Sequence, residues 1–160
     1  MNELTHLDSR GLPRMVDVGG KQETLRAAEA EAVLWIGLEV ANAIRDGHTP
    51  KGNIFETARI AGIMAAKRTS ELIPLCHSLC LTHAAVDMEL LEDRIAIRAS
   101  ARTNGPTGVE MEALTAASIA ALTLYDMLKA LSREMHLDGL RLIAKSGGRG
   151  DYRARSAHEG

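Results

Sequence analysis

Aromatic side chains are almost missing from this 160-residue chain: it holds only Trp35, Phe55, Tyr125 and Tyr152. Four rings cannot build the stacking platforms that bind single-stranded nucleic acid. An excess of one charge is missing too. The 19 Lys and Arg face 21 Asp and Glu, for a net charge of −2 and a pI near 6.3. A general polyanion binder carries a basic excess, so nucleic acid is not an expected partner. Cys76 and Cys80 alone make no disulfide framework, and a reducing cytoplasm is the expected location. No uninterrupted apolar run approaches about 18 residues, so no membrane span is expected. The opening Met1-Asn2-Glu3-Leu4-Thr5-His6 has neither a basic nor an apolar stretch of the secretory type.

What is present is small and apolar. Alanine is the commonest residue, so the core must be built from Ala, Leu, Ile, Val and Met on closely approaching helices. The length suits one domain, 1–160, able to bury a core without disulfides or a structural metal. Residues 1–12 and 150–160 read as loose ends.

Local patterns order the elements. Met15–Val18 reads as a short strand, and residues 23–46 as a helix with Gly47 just past its end. Asn53 and Glu56 have capping-box spacing for a second helix to about Lys67. Residues 80–90 and 94–102 alternate around Glu92-Asp93, as in a hairpin. A long helix over 108–133 and a strand over 137–145 complete a β-α-α-β-β-α-β order. That order predicts an α+β sandwich, with helices packed on one face of an antiparallel sheet.

The long helix is almost wholly apolar from Ala113 to Leu124, which predicts burial on all sides and hence a subunit contact. Glu112, Thr115, Thr123 and Asp126 form a thin polar line along it, with Lys129 beside them. Asp126 and Lys129 fit a surface i,i+3 pair, and equally a helix that floors a partly dry site. Cys76-His77-Ser78-Leu79-Cys80-Leu81-Thr82-His83 departs from structural zinc spacings, and an extended segment would put its cysteines and histidines on opposite faces. No metal is expected there. Lys51 precedes a helix N-terminus, a place where anions bind. Lys145-Ser146-Gly147-Gly148-Arg149-Gly150 is a basic Gly-rich turn without the phosphate-loop pattern.

Several strings then coincide in order. They include Thr57-Ala58-Arg59-Ile60-Ala61-Gly62-Ile63, Leu72-Ile73-Pro74-Leu75-Cys76-His77, Thr107-Gly108-Val109-Glu110-Met111-Glu112-Ala113-Leu114-Thr115-Ala116, Leu124-Tyr125-Asp126-Met127 and Ala144-Lys145-Ser146-Gly147-Gly148. Together they resemble the cyclic pyranopterin monophosphate synthase family of molybdenum cofactor biosynthesis, from about residue 4 to 152. The resemblance implies a ferredoxin-like subunit in a homohexamer, a trimer of dimers with sites between subunits. It implies a lyase without metal or organic cofactor. Its small-molecule substrate would be a cyclised GTP derivative, 3′,8-cyclo-7,8-dihydroguanosine 5′-triphosphate, converted to cyclic pyranopterin monophosphate and pyrophosphate. By the same resemblance Asp126, Lys51 and Lys129 are catalytic. Leu75, Cys76, His77, Met111 and Glu112 contact substrate, and Lys21, Arg26, Lys67 and Lys145 surround its phosphates. Pro106 stands where the family commonly has Lys or Arg. Two rivals fit the same fold: a non-catalytic ligand-binding module, and another nucleotide-processing lyase or hydrolase acting on GTP itself.

Overall fold

A computed structural model describes residues 6–155. Its elements are β1 (Thr24–Trp35), α1 (Gly37–Arg45), α2 (Ile54–Lys67), α3 (Thr69–Leu72), β2 (Leu81–Leu90), β3 (Arg94–Gly105), α4 (Glu110–Leu128), β4 (His136–Ser146) and β5 (Tyr152–Arg153). The strands form one antiparallel sheet in the order β2-β3-β1-β4-β5. The first four follow the ferredoxin-like order, with α2 and α4 packed together on one face. The expected α+β sandwich is therefore present.

Its first half differs from the sequence reading. Residues 23–46 are not one helix but strand β1 followed by α1. Ala28, Ala30, Ala32 and Leu34 are buried, while Glu29, Glu31 and Val33 lie only partly covered on the opposite face. Alanine and glutamate favour helices, so local preference pointed the wrong way. Pairing with β3 on one side and β4 on the other overrides it. Met15–Val18, expected as a strand, is irregular and joins neither edge of the sheet. The long helix is also shorter than expected, running from 110 to 128.

Other local readings hold. Asn53 caps α2, accepting a hydrogen bond from the Glu56 N–H at 3.1 Å. Residues 81–90 and 94–105 form the hairpin β2–β3, with Ile95, Ile97, Ala99 and Ala101 facing the helices. The loose ends expected at 1–12 and 150–160 fall partly on residues 1–5 and 156–160, outside the described part. Within it, Leu7 bridges to Pro13, and Tyr152–Arg153 adds a short edge strand.

The alanines let helices and sheet close in. At Gly62 a Cβ would stand 2.8 Å from Val86 Cγ2 and 2.9 Å from the Ala116 carbonyl oxygen. Any side chain there would push α2 away from α4 and β2. The two helices run antiparallel, which brings the loop before α2 to the C-terminal end of α4. By length and composition α4 is apolar enough to cross a bilayer, but it is mostly covered by the sheet and α2. Burial is not complete on all sides, however. Leu122 is 55% exposed, and Ile60 and Met64 on α2 are exposed beyond half as well.

Candidate active site

The candidate residues gather at the two ends of α4. At its C-terminal end, Asp126 receives two lysines. Lys129, one turn on, reaches Oδ1 at 2.7 Å, and Lys51 reaches Oδ2 at 2.7 Å. Lys51 Nζ also donates to the Asp126 backbone carbonyl at 3.0 Å. That carbonyl belongs to the last helical turn, where cations meet the negative end of the helix dipole. The Thr49 hydroxyl donates to the Gly52 carbonyl at 2.7 Å and shapes the turn that carries Lys51. Hydrogen bonds from Lys129 and then Lys51 pull the Asp126 carboxyl down to a pKa of about 2. Asp126 is therefore ionised at neutral pH, and two ammonium groups share it for a local charge of +1. The three side chains are 45–56% exposed, so the partly dry cleft expected around them is not formed by one chain.

The N-terminal end of α4 opens on a cavity of about 410 Å³. Lys21, Leu75, Cys76, His77, Met111 and Glu112 all line it, as does Arg149, which the sequence reading left unassigned. The signal for Arg149 was its place directly after Gly147-Gly148. Those two glycines, at φ 92° and 73°, lie where a side chain would strike the Leu25 carbonyl and the Arg26 guanidinium. The turn is thus held tightly against β1 and brings Arg149 to the cavity rim.

Glu112 is buried, and desolvation first, then the neighbouring Glu110 charge, raise its pKa above the usual carboxylate range. Burial and the Glu112 charge likewise raise the Cys76 thiol, which favours the unreactive protonated form. The His77 ring contacts the Val16 carbonyl oxygen through Nε2 at 2.6 Å. A carbonyl only accepts, so Nε2 carries the proton. Residues 76–80 precede β2 rather than starting it, so the cysteines and histidines are not sorted by strand alternation. Among the described residues, no group of three or more His, Cys, Asp or Glu is placed to hold a metal ion.

The remaining basic residues flank the cavity. Lys145 pairs with Glu110 at 3.2 Å, and Glu110 lines the cavity. Arg26 donates to the Pro106 carbonyl at 3.4 Å, and its Nε has no partner. Lys67 lies in a neighbouring hollow with His83, which shares Leu79 with the cavity at the N-terminal end of α4.

The expectation that Glu112, Asp126 and Lys129 floor one site is therefore corrected for a single chain. Glu112 and Asp126 share an azimuth but are fourteen positions apart on α4. At 1.5 Å per residue they are separated by about 21 Å along the axis.

Comparison with known proteins bears on this arrangement. The MoaC family pattern matches residues 15–148, which takes in both ends of α4. The chain is 56% identical over 155 residues to the cyclic pyranopterin monophosphate synthase of Roseiflexus sp. (strain RS-1), covering 95% of this chain and 98% of that one. It is 54% identical over 149 residues to the protein of the same name from Novosphingobium aromaticivorans, covering 93% and 95%. The Chloroflexus aurantiacus protein, also so named, is 56% identical over 154 residues, covering 94% of each. Identity this high, carried along nearly the whole length of both partners, makes the chain a member of the MoaC family.

Proposed function

We propose that this chain is a cyclic pyranopterin monophosphate synthase. It converts 3′,8-cyclo-7,8-dihydroguanosine 5′-triphosphate to cyclic pyranopterin monophosphate with release of pyrophosphate, in the cytoplasm and as a homohexamer. The observation that carries the reading is the Lys51–Asp126–Lys129 bridge. Purine ring opening, pterin closure and phosphate cyclisation all move protons and involve no net redox change. Two ammonium groups on one carboxylate suit such steps. Asp126, fixed as an anion, orients the lysines, and they exchange protons with the reacting atoms. At the other end of α4, Glu112 holds a proton to higher pH than an exposed glutamate. Lys21, Arg149, Lys145 and Arg26 supply positive charge for a triphosphate and its departing pyrophosphate.

Two chains are needed to join these ends. The midpoint between Glu112 and Asp126 falls at Ile119, beside the exposed Leu122. A two-fold axis near that point would lay two α4 helices antiparallel. Each Asp126 end would then face the partner's cavity, and Leu122, Ile60 and Met64 would be covered. This accounts for a lysine–aspartate cluster that is open to solvent in the single chain.

Mixing inactive variants tests it. Asp126→Ala and Glu112→Gln chains are each expected to be inactive alone. Refolded together at equal ratio, they should recover about a quarter of wild-type pyrophosphate release, because half of random pairs contain one intact site of two. No recovery from well-folded mixed oligomers would defeat the shared site. Absence of turnover by the wild-type chain on the cyclised triphosphate would defeat the reaction itself. Turnover of GTP instead would favour the other nucleotide-processing reading.

A further inference from the structure

Residues 6–21 form one wall of the cavity with no helix and no strand beyond the Leu7–Pro13 bridge. Their hydrogen bonds are local. Arg14 N–H reaches the His6 carbonyl, Gly19 N–H the Asp17 carboxylate and Lys21 N–H the Val18 carbonyl. Val16 and Val18 are only half-buried, and Met15, Asp17 and Lys21 are exposed. Apolar packing therefore holds this stretch weakly. Among the described residues, one hydrogen bond ties it to the body of the fold. The His77 Nε2–H donates to the Val16 carbonyl at 2.6 Å, across 61 positions of sequence. Three residues after Val18, the local turn delivers Lys21 to the cavity beside Arg149.

We propose that His77 is a positioning residue: its bond to Val16 straps residues 15–21 across the cavity and thereby holds the Lys21 ammonium where the substrate's phosphates bind. His77 then acts on affinity through Lys21 rather than on the reacting atoms. Its neighbours on the cavity wall are Cys76, Glu112 and Arg149. Glu112 is the nearby group that holds its proton to higher pH, and Lys21 and Arg149 keep the rim cationic.

The proposal rests on the reaction above for the identity of the anion, but the strap itself can be read without turnover. Hydrogen exchange followed by mass spectrometry should show peptides of His77→Ala that span the bonded Gly19 and Lys21 amides exchanging roughly tenfold faster than wild type, the scale of one hydrogen bond. Exchange in the core of α4 should be unchanged. His77→Gln, which keeps an N–H of similar reach, should restore most of the protection. Inorganic pyrophosphate, titrated by calorimetry, should bind roughly tenfold more weakly to His77→Ala and to Lys21→Ala alike. The double variant should be little worse than either single one, because both remove the same contact. In steady state, His77→Ala should raise KM and leave kcat within a few-fold. Wild-type exchange of residues 15–21 in His77→Ala would overturn the proposal. So would additive losses in the double variant, or a collapse of kcat with KM intact.

Discussion

The two ends of α4 treat their carboxylates in opposite ways. Near the N-terminus, Glu112 is 4% exposed and has no ammonium bound to it, so burial pushes its proton affinity up. Near the C-terminus, Asp126 stands in solvent between two lysines, and its proton affinity falls. One rod of apolar side chains thus carries a group able to hold a proton and a group able only to accept. The contrast comes from surroundings rather than residue type. Glu112 points into the buried side of α4, whereas Asp126 on its last turn faces the loop before α2, which contributes Lys51. Two carboxylates of the same chemistry are thus given opposite proton affinities by their surroundings.

The largest expected effect removes the C-terminal cluster. Lys51→Ala, Lys129→Ala and Asp126→Ala should each lower turnover at least about 10²-fold, the usual lower cost of losing a general acid or base. Each should keep the oligomer and still bind substrate, as judged by light scattering and calorimetry. Near-normal turnover by both lysine variants would leave the bridge a surface ion pair, the bland reading of the Asp126–Lys129 spacing.

A smaller effect concerns Glu112. In the folded chain its pKa lies above the unfolded value of 4.5. Below that pH both states hold the proton and nothing is lost. As pH rises above it, the unfolded state ionises first, so Glu112 progressively costs stability up to its folded pKa. Glu112→Gln should therefore raise the thermal midpoint at neutral pH, with the gain disappearing below about pH 4.5. An equal gain at all pH values would show that packing, not the proton, sets the difference.

The smallest effect is a titration. The Asp126 carboxyl signal should have its midpoint at about pH 2 and move towards the ordinary 3.8 when either lysine is replaced by methionine. The stability it lends is fully present above the unfolded value and lost as pH falls through the folded one. At 0.5 M salt the midpoint should also rise, because an exposed cluster is screened. A midpoint indifferent to both lysines would erase the contrast between the ends.

Much of this is legible in the sequence. Motif order alone named the family. Alternation gave β2, β3 and the buried faces of Ile95 and Ile97, and the Asn53–Glu56 spacing gave the start of α2. The i,i+3 spacing gave Asp126–Lys129. Three things were not legible. The strand over 24–35 was hidden because its alternating residues, Ala and Glu, are good helix formers, and only its neighbours make it a strand. The polar line on α4 suggested one site, because azimuth repeats along a helix while axial distance does not show in a helical projection. Lys51 meeting Asp126, and His77 meeting Val16, are contacts between positions 75 and 61 apart, which no local pattern encodes.

The composition of β1 also has a consequence for synthesis. Trp35 leaves the ribosome about sixty residues before β3 begins. A Val- and Ile-rich strand waiting that long would be an adhesive segment, free to pair with any exposed edge. The alternating Ala and Glu of residues 27–32 carry little intrinsic tendency to pair and place two charges on one face. The middle of the sheet is thus held by a sequence whose pairing is set by its two neighbours, β3 and β4, rather than by its own preference.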